Sequence, residues 1–562
     1  MSSEPIIAYF SMEIGVQSDI PTYSGGLGVL AGDTVRSAAD LGIPMVAISL
    51  LARKGYFHQT LDFSGWQSEE PNIWVIENYF TEVNQRVSIT IETRTVHIRC
   101  WKYTVTGNSD QVSVYFLDTD LEENSEQDRR LTDHLYGGDN YYRLCQEIIL
   151  GIGGILMLRK LGYTDIRRYH MNEGHASLLI LELLKEEAYR QGDKFILDKH
   201  RDEVRKICIF TTHTPVPAGH DQFAMDLFER LVHESYVYKQ CKDTFCFDNR
   251  LNLTYLALTH SRYINGVAKK HKEITQQMFG AHQIDSITNG VHTKTWASEP
   301  FSLLFDKYIP GWQADYSSLR YALNIPLDDI WNSHQAAKKR LLECVNGATN
   351  STMSMDVMTI GFARRATHYK HSDLVLADIN KLKELHNRIG NFQMIFSGKA
   401  HPHDMAGKEL IQKIFRIKEL LAEDIKIAYL PNYSMELGKL LTSGSDIWLN
   451  TPQPPLEASG TSGMKAALNG VPSFSILDGW WLEGCIENVT GWAIGERDDA
   501  LHTFDPKLYA QKLYEKLQTT ILPKYYSDRN SFINIMRHTI AINGSFFNTE
   551  RMLNQYISKA YY

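Results

Sequence analysis

Short apolar runs recur along the chain, each closed by a glycine, proline or polar loop and followed by a segment of helical spacing. Ile6–Phe10 is the first. A polar loop leads from it to Gly25-Gly26-Leu27-Gly28, V-L-A-G-D-T-V-R-S-A-A-D-L-G then keeps helical spacing to a stop at Gly42, and P-M-V-A-I-S-L-L returns as a strand. Strand, glycine turn, helix and strand is the start of a βαβ unit. Val87–Ile91 and Val96–Tyr103 predict a hairpin or sheet edge, while Arg143–Leu161 and Ala176–Tyr189 predict long helices. The most apolar run, Ile148 to Leu158, is flanked by Glu147 and Arg159 and falls well short of the ~20 residues a membrane span needs. It reads as a buried helix.

Residues 299 to 350 are helical and polar, with Pro310 and Pro326 as punctuation, and predict connecting structure. Val357–Phe362 then opens a second series. Gln393–Ser397 runs into Gly398-Lys399, Ile425–Leu430 into Pro431-Asn432-Tyr433, and Ser445–Leu449 into the loop that reaches Glu457. Polar loops at strand ends in both halves predict an α/β protein of two doubly wound Rossmann-like domains facing across a deep cleft. The expected division is 1–296 for the N-terminal domain and 297–562 for the C-terminal one, with the last helices able to pack back on the first domain. No internal repeat suggests a solenoid.

A chain of 562 residues exceeds what one core organises, which agrees with two domains. The formal charge of -8 and the pI near 6.2 argue against a nucleic-acid partner while leaving room for a local cationic pocket. Seven cysteines, at 100, 145, 208, 241, 246, 344 and 485, make neither a C-x-x-C pair nor an even framework, so reduced thiols in the cytoplasm are the simplest expectation. Ile6–Phe10 follows no basic segment and reads as a strand, not an export signal.

The candidate chemistry centres on Glu457 to Lys465, E-A-S-G-T-S-G-M-K, just before the helix-like A-A-L-N-G. Small residues that let backbone amides converge near a helix start make an anion site, and a buried lysine beside it can hold an aldehyde cofactor as a Schiff base. A plain Gly/Ser loop with a solvated lysine fits the stretch equally well. Gly25–Gly28 offers a second amide-rich turn, either a phosphate site or only a tight turn. His170, Asn172, Glu173 and His175 cluster in R-R-Y-H-M-N-E-G-H-A-S without the H-E-x-x-H helical face of a metal site, and a polar strand-end loop is the better reading. Thr211-Thr212-His213-Thr214-Pro215 and T-N-G-V-H, with Asn289 and His292, are strand-end loops where open sheets keep ligand-binding residues, although a satisfied structural histidine fits His213 equally well. Arg364, Arg365 and Lys370 repel one another after a buried strand unless an anion is near, although a solvated basic helix start is the alternative.

Taken together, the chain resembles the α-glucan phosphorylase family, which includes the glycogen, starch and maltodextrin phosphorylases, in a short form. The resemblance is carried by G-G-L-G-V-L-A-G-D, K-G-Y-F-H-Q with G-W-Q, Y-G-G-D-N-Y-Y, N-E-G-H-A, T-H-T-P, I-N-G-V-A, T-N-G-V-H, F-A-R-R-A-T-H-Y-K, E-A-S-G-T-S-G-M-K-A-A-L-N-G and L-D-G, in family order from about residue 6 to 480. It implies pyridoxal 5′-phosphate as a Schiff base on Lys465, acting through its phosphate group as acid/base. Arg365 and Lys370 resemble ligands of the substrate phosphate, with Gly26 supplying backbone amides. Arg364, in place of a family lysine, resembles a neighbour of the cofactor phosphate, together with Thr461, Ser462, Tyr433 and Gly25. Glu457, Ser459, Gly460, Asn289, Asn140 and Leu27 resemble glucose-binding residues, and His213 a partner of the reacting sugar. Two departures stand out. Ser462-Gly463 replaces the G-N of long family members, and the regulatory N-terminal extension is absent.

The function so implied is reversible, retaining phosphorolysis of α-1,4-glucans from the non-reducing end to α-glucose 1-phosphate. No convincing carboxylate pair of the kind hydrolases use is found, which agrees. The partners implied are a glucan or maltooligosaccharide and orthophosphate, with no metal, nucleic acid or membrane, and a homodimer as a family expectation. Two other readings compete: a nucleotide-sugar glucosyltransferase resembling glycogen or starch synthase, which needs no pyridoxal, and a non-catalytic glucan-binding protein of the same fold.

Overall fold

Ile6–Phe10 becomes the strand at the turning point of a nine-stranded sheet. The order across it is Asp285–Ser286, Tyr263–Gly266, Cys208–Thr211, Ile166–Asn172, Ile6–Phe10, Met45–Leu50, Gln111–Asp118, Arg94–Thr106 and Thr81–Ile91. All pairings are parallel as far as Gln111–Asp118, and the last two strands add an antiparallel hairpin at the edge. The architecture is that of a computed structural model, which describes residues 6–216, 220–232, 236–497 and 504–562. Helices cover both faces of a parallel sheet, which is why Met45–Leu50 is buried at every position and reads as a continuous apolar run.

The chain divides into two compact units, each doubly wound α/β: Met1–Phe57 with Pro71–Ile287 and Leu553–Tyr562, and His58–Glu70 with Thr288–Met552. In the first unit, Asn140–Ile148, a π turn and Gly154–Lys160 form one helix with the length and apolarity of a membrane span, yet 72% of its most apolar window is buried. It is a core helix. A Cβ on Gly154 would lie 2.7 Å from the Phe10 ring, so glycine is what lets this helix lie so close to the sheet. The C-terminal segment belongs to the same unit. Tyr561 bonds His170 Nδ1 at 2.8 Å, and the Tyr556 hydroxyl meets Thr211 and Asn265 at 3.0 Å each, so two tyrosines satisfy buried polar groups of three strands.

The second unit has six parallel strands in the order Ile427–Leu430, Phe392–Ser397, Met358–Ala363, Ile447–Asn450, Ser473–Ile476 and Gly491–Ile494. The chain winds outward from Met358–Ala363 on one side and returns to its other side with Ile447–Asn450. Crossovers therefore diverge between these two strands, and their C-terminal loops are left open for a ligand. The stretch expected to be mere connection is more than that. Leu327–Thr349 is a helix that buries Ile330, His334, Ala337, Lys338, Leu341, Leu342 and Val345. Its many exposed polar residues mask the apolar stripe in the sequence.

Candidate functional site

The open loops of the second unit begin at the ends of Met358–Ala363 and Ile447–Asn450. Hydrogen bonds to main-chain carbonyls hold them together: Gln453 N–H donates to Tyr369 O at 2.8 Å, and the Thr451 hydroxyl to His371 O at 2.8 Å. The side chains then converge. One oxygen of Glu457 accepts from both Arg364 and Lys370, with all three side chains largely buried. Burial alone would raise the Glu457 carboxyl, but the two cations outweigh it and hold it down to about 2. Burial and the Arg364 charge pull the Lys370 ammonium below its ordinary value, against the attraction of Glu457. The two buried cations exceed the carboxylate by one positive charge, and exposed Arg365 stands beside them.

Asp478 was not among the expected residues. Its carboxylate accepts from the amides of Glu457 at 2.8 Å and Gly479 at 2.9 Å, which fixes the backbone on which Glu457 stands. Burial, with smaller help from the Glu457 charge, pushes its carboxyl up to about 7. From pH 4 to 7 the native carboxyl keeps a proton that the unfolded chain has released, so stability falls as pH rises through that window and levels off above it. Asp478→Asn is expected to shrink the stability difference between pH 5 and pH 8 by on the order of 2 kcal/mol, measured by urea denaturation at both values.

Lys465 lies in the short helix Ser462–Leu468, is 4% exposed, and sets its ammonium 3.7 Å from the centre of the Trp296 ring. Asn469 ties the backbone of Trp296 to that of Lys465. Its amide donates to Trp296 O at 3.0 Å and Lys465 O at 2.9 Å, and its oxygen accepts from Ser298 N–H. The Ser462-Gly463 departure has a local cause. A Cβ on Gly463 would stand 2.6 Å from Trp480 and 2.8 Å from the Ser473 hydroxyl, while Ser462 accepts from the Trp448 indole at 3.0 Å. Gly463→Ala is therefore expected to lower stability by about 1–3 kcal/mol through overpacking, read as a shift in denaturation midpoint. Gly460 takes φ +79°, and the carbonyl of Ser459 accepts from Trp480 N–H at 2.8 Å. Thr461 immediately precedes the helix as its N-cap.

Tyr433 follows left-handed Asn432, and its hydroxyl would meet a Cβ on Gly438 at 2.5 Å, so it lies against the helix Met435–Gly444. Asn289 is buried, and its carbonyl accepts from Arg551 at 2.8 Å.

In the first unit the glycine turn starts the helix Gly26–Asp40. The Glu13 carboxylate accepts from the amides of Ser24 at 2.5 Å and Gly25 at 3.2 Å, and from the Tyr136 hydroxyl at 3.0 Å. The Gly25 amide is thus already bonded to protein. A Cβ on Gly26 would meet nothing within 4 Å, while one on Gly28 would strike Glu13 and Tyr23. Leu27 is next to Gly26 in the first turn. Asn140 is exposed at the start of its helix. His213 is the best defined. Its Nε2 lies 2.6 Å from Asn172 Oδ1, the other end of that amide donates to Ser11, and Glu173 accepts from the His213 N–H at 2.7 Å. Burial lowers the imidazole to about 4, so it is neutral. Nε2–H donates to Asn172 and Nδ1 is left as an acceptor. Of the cluster read as a strand-end loop, Glu173 takes φ +78°.

Glu13, Asp478 and Trp296 were missed by sequence reasoning. Glu13 had one usable signal, an acid just past the end of a first strand.

The family described as carbohydrate phosphorylase matches residues 233–518. The chain is 37% identical to the maltodextrin phosphorylase of Thermococcus litoralis over 99% of its own length and 70% of the relative's. It is 32% identical to the glycogen phosphorylase of Aquifex aeolicus, over 99% of the chain and 86% of the relative. An uncharacterized protein of Methanocaldococcus jannaschii is 31% identical over 99% of both.

Proposed function

The chain belongs to the carbohydrate phosphorylase family, and from that premise we propose that it is an α-glucan phosphorylase, moving the terminal glucose of an α-1,4-glucan to orthophosphate with retention. The observation that carries the assignment is the convergence of Arg364 and Lys370 on Glu457 at the strand-order reversal of the second unit. Two cations sharing one carboxylate have charge left for an anion, and that is where open sheets bind ligands.

Pyridoxal 5′-phosphate fits the residues present. Lys465 is a buried amine against an aromatic face, in reach of an aldehyde once deprotonated, and the excess positive charge suits a phosphate. Lys465 would hold it, with Arg364, Thr461, Ser462 and Tyr433 assigned to its phosphate; Gly25, expected there from the sequence, has its amide bonded to Glu13 and is not assigned to it. When bound, it supplies a phosphate group that exchanges a proton with the substrate phosphate. Arg365, Lys370 and the Gly26 amide are assigned to orthophosphate. Glu457, Ser459, Gly460, Asn289, Asn140 and Leu27 are assigned to the sugar, for which neutral His213 offers Nδ1 as an acceptor.

Glu457 does not supply the proton for the departing glycosidic oxygen. Held at about 2, it is ionised at working pH, so it can accept from sugar hydroxyls but has no proton to give. The acid is assigned to phosphate, as the family resemblance implies, and its negative charge also stabilises an oxocarbenium-like transition state. The seven free thiols support a reducing compartment, and we place the protein in the cytoplasm.

The test incubates the protein with maltodextrin and orthophosphate, with and without added pyridoxal 5′-phosphate, and measures glucose 1-phosphate. The expected result is product that depends on phosphate and on pyridoxal. Glucose transfer from a nucleotide sugar by a protein that releases no pyridoxal on denaturation would replace this reading.

A further inference from the structure

The hairpin His58–Leu61 and Gln67–Glu70 leaves the first half of the chain and belongs to the second unit. Its inward face carries two glutamines, Gln59 and Gln67, each 1% exposed. An ordinary packing hairpin buries apolar side chains there; two buried amides are expensive unless every atom is matched.

They are matched to two loops at strand ends. Gln59 Nε2 donates to Gly398 O at 3.0 Å and to Gln67 Oε1 at 2.8 Å, and Gln59 Oε1 accepts from Asn432 N–H at 2.7 Å. Gln67 Oε1 accepts from Ala400 N–H at 2.9 Å, and Gln67 Nε2 donates to Ala400 O at 2.9 Å. Asn432 Oδ1 in turn accepts from Gln59 N–H at 3.2 Å. The pair thus serves as a substitute strand for backbone groups that have left the sheet ladder.

Those loops bear directly on the cationic residues. Gly398 lies so tightly on Arg364 that a Cβ would fall 1.9 Å from the Arg364 carbonyl oxygen. Ala366 N–H donates to Lys399 O at 3.0 Å, and Arg364 N–H to Ser397 O at 3.1 Å. Asn432 immediately precedes Tyr433. A shift of the glutamines therefore moves the backbone of Arg364–Ala366 and of Tyr433 together.

We propose that Gln59 and Gln67 are positioning residues for the phosphate-handling groups Arg364, Arg365 and Tyr433, an inference that rests on the phosphorylase reading above. They touch neither substrate nor cofactor and act by holding the Gly398–Ala400 and Asn432 backbones.

Initial rates of the holoenzyme with excess pyridoxal phosphate, varying orthophosphate and maltodextrin separately, test this. In Gln59→Met and Gln67→Met the KM for orthophosphate is expected to rise about tenfold or more, with that for maltodextrin changed far less. Gln59→Asn keeps an uncharged amide but is one carbon too short to reach Gly398 and Asn432 together. It is the milder variant, expected to shift the phosphate KM in the same direction, and it decides if the methionine variants fail to fold. Gln412→Ala, which removes only a bond to Ser64 at the hairpin tip, is expected to leave both constants unchanged. Amide exchange in the free protein is expected to quicken over 364–366 and 398–400 in the glutamine variants. Lower thermal stability with wild-type phosphate KM and wild-type exchange in those segments overturns the proposal. A wild-type protein without phosphorolysis fails the functional reading instead, and the exchange comparison still decides the positioning role.

Discussion

Replacing Lys370 by alanine is expected to lower kcat for phosphorolysis by about two to three orders of magnitude, with little change in maltodextrin affinity. The ammonium is buried, and the Lys370 and His371 carbonyls are both held by the Thr451 hydroxyl, so the charge is delivered at a fixed place. Without it, Arg364 is left to neutralise Glu457 alone, the buried excess of positive charge disappears, and orthophosphate loses its buried cation. Lys370→Arg is not expected to restore activity. Arg364 already approaches the same Glu457 oxygen, and a planar guanidinium cannot replace a compact ammonium there. Steady-state kinetics with each substrate varied, beside a denaturation curve to confirm folding, check this. Near-wild-type turnover in a folded Lys370→Ala protein would remove Lys370 from the phosphate site.

Lys338→Met is expected to cost about 3–5 kcal/mol of stability, for a reason unrelated to catalysis. Asp446 is fully buried beneath the second sheet's central strands and accepts from Lys338 Nζ at 2.7 Å, His334 Nε2 at 2.8 Å and Thr359 N–H at 2.6 Å. Burial would raise its carboxyl, yet the Lys338 charge and the His334 contact hold it at about 2. The native state therefore binds its proton less readily than the unfolded chain. The stability this contributes is present above the ordinary carboxylate value and is lost as pH falls from about 4 toward 2. Methionine fills the space of the lysine stem and leaves a buried carboxylate without its cation. Lys338→Met combined with Asp446→Asn is expected to recover part of the loss, because the unpaired charge goes with it. Urea denaturation of the two single variants and the double variant measures the coupling, and a single-variant cost under 1 kcal/mol would contradict the buried pair.

Much of the architecture was legible from short-range pattern. Ile6–Phe10 and the glycine turn announced the first βαβ unit, and the strands expected near 357, 393, 425 and 445 formed at Met358–Ala363, Phe392–Ser397, Ile427–Leu430 and Ile447–Asn450. The helix over 327–349 was under-read, because its buried face includes His334 and Lys338, which look like surface residues until Asp446 is found opposite them. At the site, Arg364, Lys370, Glu457 and Lys465 stood out by type and by loop. Asp478 did not, since an aspartate after a strand looks solvated unless the amide of Glu457 is known to face it.

By itself, the sequence determined where strands end, which loops carry polar groups and the α/β class. Alternation of apolar runs with turn residues is a local property, and every residue it needs lies within a few positions. Only the tertiary structure decided which loops meet. Glu457 takes Arg364 and Lys370 from 93 and 87 residues away because Met358–Ala363 and Ile447–Asn450 became neighbours when the crossovers turned back. Gln59 reaches Gly398 across 339 residues, and Tyr561 reaches His170 across 391. Such partners are chosen by strand order and by the need to satisfy buried polar groups, and neither leaves a periodic trace along the chain.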